Sequence, residues 1–136
     1  MLQAYSSNLS IAANTAYPFN NIAIDKGCAE KLSAPSSIQL NNRGVYLIEV
    51  DGFGTGAAAA TGTTQLFVNG VAQPQAISSY AAAAGDVSNF GFKTFVQVTE
   101  NNCNCNCTSS PTVLQILNGE AALTDAHINV VVTKIR

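Results

Sequence analysis

Phe90, Phe92, Thr94, Val96 and Val98 alternate with Gly91, Lys93, Phe95 and Gln97, and apolar residues at every second position put one side of an extended chain in a core. That signal recurs along the sequence. Ser37-Ile38-Gln39-Leu40 alternates before the turn residues Asn41-Asn42-Arg43-Gly44. The next segment, Val45 to Val50, reads as a strand apolar on both faces, as expected inside a sandwich. Thr64 to Val68, Asn69-Gly70 and Val71 to Gln73 form the clearest local pattern, because Asn-Gly supplies the positive backbone angles of a two-residue type I′ hairpin. Thr112 to Leu117 and His127 to Ile135 complete the strong segments, the last with Ile128, Val130 and Val132 on one side. With weaker strands at Ser6 to Ala12, Phe19 to Ile24 and Ala76 to Tyr80, the chain carries about eight, at the spacing of a sandwich or jelly roll.

Helical spacing is almost absent. The two stretches that break the strand pattern, Gly52 to Ala60 and Ala81 to Gly85, hold alanine runs too short to nucleate a helix. They read as loops, or as flat strand ends where backbones approach closely. No internal repeat of solenoid length appears.

The charge content narrows the function. Only 10% of the 136 residues are charged, against about 25% in an ordinary soluble domain. The basic residues Lys26, Lys31, Arg43, Lys93, Lys134 and Arg136 are scattered and the net charge is −2, so no basic stripe exists to follow a nucleic acid. A chain that is 47% hydrophobic with so few charges is best understood if part of an apolar face is covered in an oligomer. No run approaches the roughly 20 apolar residues of a membrane helix, and Met1-Leu2-Gln3-Ala4-Tyr5 lacks the pattern of a signal peptide. A soluble protein made in the cytosol, with no membrane partner, is expected.

Ile38-Gln39-Leu40-Asn41-Asn42-Arg43-Gly44-Val45-Tyr46-Leu47-Ile48-Glu49-Val50 resembles the strand pair of C1q/TNF-like jelly rolls, in which an apolar strand and short turn lead into Gly-x-Tyr and alternating apolar residues. Leu66-Phe67-Val68-Asn69-Gly70-Val71 resembles the next hairpin of that family, and Asn129 to Ile135 its central C-terminal strand. Taken whole, the chain is similar to short proteins of phages and prophages of Gram-positive gut bacteria. More distantly it resembles the C-terminal domain of spore-surface collagen-like glycoproteins. The resemblance implies an all-β jelly-roll sandwich of about eight to ten antiparallel strands forming a single domain over residues 1–136. It also implies a tight homotrimer that is not an enzyme. The expected role is a virion structural protein on the virion surface, a capsid decoration or cementing protein whose partners are its own copies and a major capsid or other virion protein. Tyr46, Phe90, Phe92 and Phe95 are the residues expected at the trimer interface or core. Two alternatives follow from the same resemblance: a receptor-binding tip of a tail or head fibre, with Phe53, Tyr80 and the Asn-rich loop as candidates for a host-surface glycan, and a trimeric module of a spore or cell surface. The chain has no Gly-x-y stalk, so attachment falls to the domain surface or the N-terminal residues.

The inventory for catalysis is thin. His127 is the sole histidine and reads as a surface or strand-end residue, with no Gly-x-Ser-x-Gly elbow beside it. Asp25, Glu49 and Asp51 could form a carboxylate pair, but nothing in the sequence joins them. No catalytic residue is assigned. The sharpest feature is Asn101-Asn102-Cys103-Asn104-Cys105-Asn106-Cys107-Thr108. An extended chain puts Cys103, Cys105 and Cys107 on one side, which suits a shared soft metal better than bonds between next-but-one neighbours. The spacing is not that of a zinc ribbon. Metal binding, disulfides formed after release and free thiols in an exposed loop all remain open, and no other cofactor is expected. Cys28 reads as a small buried apolar residue, or else as a fourth thiol partner.

Overall fold

The computed structural model describes residues 1–99 and 111–136. Within them the chain forms eleven strands: β1 (Leu2–Ile11), β2 (Thr15–Ala16), β3 (Asn21–Asp25), β4 (Glu30–Ala34), β5 (Ser37–Leu40), β6 (Gly44–Gly56), β7 (Ala60–Val68), β8 (Val71–Ala82), β9 (Val87–Val98), β10 (Thr112–Asn118) and β11 (Leu123–Lys134). One sheet runs β3-β1-β11-β6-β9 and the other β4-β5-β10-β7-β8, with the short β2 paired to β10. Every named strand pair is antiparallel.

Period-two patterning decides what lies between the sheets. In β9, Phe90, Thr94, Val96 and Val98 are buried while Gly91, Lys93, Phe95 and Gln97 are exposed, as the alternation predicts. Leu2, Ala4, Tyr46, Ile48, Val50, Ile128, Val130 and Val132 bring the first sheet's share of the core, and Ile38, Leu40, Leu66, Leu114 and Ile116 the second's. Two phenylalanine contacts knit the layers, since the Phe90 ring lies 5.8 Å from both Tyr17 and Tyr80.

Asn69 (φ 49°) and Gly70 (φ 78°) make the expected two-residue turn, with Val68 opposite Val71. Beyond it β8 is one long edge strand rather than two fragments, and its bulged pairing accommodates Pro74, a residue tolerated at a sheet edge. The stretch from Gly52 to Gly56 is not a loop: β6 continues through it, paired with both β9 and β11. Its glycines make that pairing feasible. A Cβ on Gly52 would lie 2.3 Å from the His127 carbonyl and 2.7 Å from the Phe90 ring. At Gly62 the Tyr80 ring of the neighbouring strand fills the space a side chain would need.

Buried polar groups are few and mostly bonded. Asn118, fully buried, donates to the carbonyls of Ala121 (2.8 Å) and Ala12 (3.1 Å) and accepts from the phenols of Tyr17 (3.4 Å) and Tyr80 (3.5 Å). Ser6 donates to the Pro18 carbonyl at 2.6 Å and accepts from the Asn20 amide at 2.9 Å. Tyr46 donates to the carbonyls of Asn42 (2.7 Å) and Ala29 (3.3 Å). The buried Glu30 carboxylate pairs with the Met1 ammonium.

Candidate functional site

The second sheet covers one face of β6, β9 and β11, and among the described residues no layer lies over their other face. This corrects the expectation that β6 is apolar on both sides because it is interior to the sandwich. Its inner row Tyr46, Ile48 and Val50 is buried, whereas Val45 and Leu47 stand half-buried on an open surface.

Register assembles the rest of that surface. Residues directly opposite in antiparallel strands share a face, so Leu47 lies beside Phe95 and Thr133, and Glu49 beside Lys93 and Val131. Further along, Asp51 lies beside Gly91 and Asn129, and Phe53 beside Asn89 and His127. Three apolar side chains project from it: Phe53 is 44% exposed, Phe95 61% and Val87 64%. Such apolar exposure on one face is what a contact surface needs.

The polar groups on the face largely satisfy one another. Lys93 Nζ sits 2.9 Å from Glu49 Oε1, and the hydrogen bond and negative charge of Glu49 hold that ammonium above its usual range. Gln3 Nε2 donates to Asn129 Oδ1 at 2.9 Å, and Asn129 Nδ2 donates to Asp51 Oδ1 at 3.2 Å. Because Gly91 has no side chain opposite Asp51, a shallow groove of about 520 Å³ opens there, lined by Glu49, Asp51, Gly91, Phe92, Lys93 and Val131. Beside it, the His127 ring stacks on Phe53 (centroids 5.4 Å apart, 17° between planes) and tilts against Tyr5 at 6.3 Å. Its Nδ1 lies 2.9 Å from Ser7 Oγ. A serine and a histidine thus meet, but no carboxylate hydrogen-bonded to the imidazole is found among the described residues, so the contact lacks the orienting third group of a triad.

The residues singled out from the sequence separate accordingly. Tyr46 and Phe90, expected at the trimer interface or core, are enclosed between the chain's own sheets and belong to the core. Phe92 is half-buried against that core, and Phe95 alone of the four projects freely. Phe53 is exposed as a glycan platform requires, whereas Tyr80 is half-buried, packed on Phe90 and over Gly62, on the other sheet. Glu49 and Asp51 share a face but have separate partners, and Asp25 sits across the sheet on β3, opposite Leu2. Cys28 is exposed and disulfide-bonded rather than a buried apolar filler. Cys103, Cys105, Cys107 and the Asn-rich loop lie outside the described residues. Among the described residues no three His, Cys, Asp or Glu side chains converge as a metal would need, and no helix is long and apolar enough to cross a membrane. Sequence reading missed Tyr5, Ser7, Gln3 and Asn129, whose only signal was their parity in strands that look apolar on one side.

No protein-family model matches the sequence, and no curated protein matches it. Solved structures do. The globular domain of zebrafish complement 1qA protein superposes with a TM-score of 0.67 over 96% of this chain and 94% of its own, at 9% identity. Eiger TNF from S. frugiperda gives 0.66 over 99% and 92%, at 12% identity. The PRD1 vertex protein P5 gives 0.63 over 99% and 96%, at 18% identity. The fold is therefore that of the C1q/TNF jelly rolls, with its two antiparallel sheets and, among the described residues, no helix.

Proposed function

We propose that this chain is a non-enzymatic structural protein of a bacteriophage virion, a homotrimeric decoration or cementing protein of the capsid surface that associates through the open face of the β3-β1-β11-β6-β9 sheet. The observation that carries it is that face: Phe53, Phe95 and Val87 project from it beside half-buried Val45, Leu47 and Val131, and its charges are few and engaged. Covering such a surface removes apolar area from water at about 25 cal/mol per Å². The low charge content of the chain supports the same reading, and the fold shared with a phage vertex protein supports the virion setting.

Sedimentation at micromolar concentration, with and without reductant, tests the assembly. A trimer that ignores reductant is expected, and a persistent monomer sinks the proposal. For the virion setting, peptides of this chain should co-purify with gradient-purified particles from the strain that encodes it; their absence from such particles counts against it.

A second reading has one observation in its favour. Phe53 stands exposed beside Asp51 and Asn129, the aromatic, carboxylate and amide set that sugar sites use. This would make the face the glycan-binding surface of a fibre tip. Binding of a glycan array that Phe53→Ala abolishes would favour it. An assembly that shields Phe53 would exclude it, because the two readings compete for one surface.

A further inference from the structure

We propose that His127 makes assembly through this face sensitive to pH, so that copies associate while the imidazole is neutral and separate when it is protonated. The inference rests on the self-association reading above and assigns that surface a regulator. His127 is the chain's sole histidine, and no other side chain has an ordinary titration range between about pH 5 and 8 except a perturbed thiol. It lies in the middle of the aromatic part of the face, stacked on Phe53 and tilted against Tyr5. Covering Phe53 therefore covers the imidazole as well.

The surroundings decide the sign. From β1 the groups beside it are the Tyr5 phenol and the Ser7 hydroxyl, neither charged at neutral pH. From β6 the residue opposite is Phe53, and the nearest carboxylate on that strand's outer row, Asp51, already accepts from Asn129. Further along, Glu49 is paired with Lys93, and across β6 the residue in line with Phe53 is the uncharged Asn89. On its own strand the neighbouring carboxylate, Asp125, is exposed at the bulge. No carboxylate among the described residues is hydrogen-bonded to the ring, so an imidazolium enclosed here would lack a paired charge. Burying a charge unpaired is far more costly than burying a neutral ring. The Phe53 and Tyr5 rings return part of that through their π-faces, but a symmetric assembly repeats the penalty in every copy.

The test is the association constant of the full chain, by sedimentation at fixed ionic strength, at about pH 8 and about pH 5, for the unaltered protein, His127→Gln and His127→Phe. The unaltered protein should associate at least about tenfold more weakly at the lower pH. Both variants should associate equally at the two pH values. Equal association of the unaltered protein at both pH values overturns the inference and leaves self-association intact. Retention of the full pH dependence by both variants overturns it too, and transfers the effect to carboxylates such as Asp51. Absence of any assembly at the higher pH overturns the self-association reading itself. Far-ultraviolet circular dichroism at both pH values separates these outcomes from unfolding.

Discussion

Asn118 shows how much one buried side chain can specify. Its amide bonds the carbonyls of Ala12 and Ala121 and receives the phenols of Tyr17 and Tyr80, tying β8 and β10 of the second sheet to the connections that follow β1, β2 and β10 at one point. Asn118→Ala removes all four bonds at once and leaves the Ala121 carbonyl without this partner, although the Ala12 carbonyl keeps the Thr15 hydroxyl, so a loss of about 2 kcal/mol in urea unfolding is expected. Gly52→Ala should lose a similar amount, about 2 kcal/mol, because the new methyl collides with the His127 carbonyl and the Phe90 ring and the strand between β9 and β11 has nowhere to move. The phenols also set an alkaline limit. Burial pushes Tyr17, Tyr46 and Tyr80 above the usual tyrosine range, with the neighbouring Tyr80 adding to the effect on Tyr17. In the unfolded chain these groups lose their protons near pH 10 while the folded chain keeps them. Their contribution is therefore complete below about pH 10 and declines as the pH rises beyond it. Denaturant midpoints should fall through that window, and in a Tyr5→Phe background the tyrosinate absorbance of these three phenols should appear together with unfolding rather than before it.

At the level of strands, the hairpin at Asn69-Gly70 isolates a backbone effect, since a Cβ on Gly70 meets nothing within 4 Å. Gly70→Ala should cost about 1 kcal/mol through its positive φ alone, read as a lowered melting temperature with unchanged structure. That turn was legible because Asn-Gly announces its own geometry, and β9 because the nine residues from Phe90 to Val98 follow one period. Other features were hidden for physical reasons. Gly52, Gly54 and Gly56 look like loop residues, yet they are strand residues stripped of side chains so that Phe90, Leu123 and Ala83 can fit over them. Tyr80 reads as a surface aromatic in an alternating segment, but the missing side chain at Gly62 draws its ring down onto the neighbouring strand. The aromatic face was harder still. Tyr5 and His127 are more than a hundred positions apart, and only the pairing of β1 with β11 makes them neighbours. For Tyr46, Phe90, Phe92 and Phe95 the sequence leaves interface and core equally open, because it shows that a residue is apolar without showing which layer covers it.

For the molecule as a whole, the open face yields a prediction separable from stability. Phe95→Asp and Leu47→Asp alter positions the second sheet never touches, and Phe95 is largely in solvent. The first should change unfolding free energy by no more than about 0.5 kcal/mol, while both should abolish self-association in sedimentation. If Phe95→Asp assembles as the unaltered chain does, the contact lies elsewhere. The sheet order carries a different consequence, one of timing. β11 is the middle strand of its sheet, with β1 and β3 on one side and β6 and β9 on the other, and Leu2 pairs with Val132. Until β11 arrives, that sheet exists as two unconnected halves with their apolar faces bare. A ribosome can deliver β1 with β3 early, but it must deliver β11 before that pair is joined to β6 and β9 and the sheet is complete. Refolding from denaturant should accordingly be cooperative and slow, in the range of milliseconds to seconds that such non-local pairing imposes.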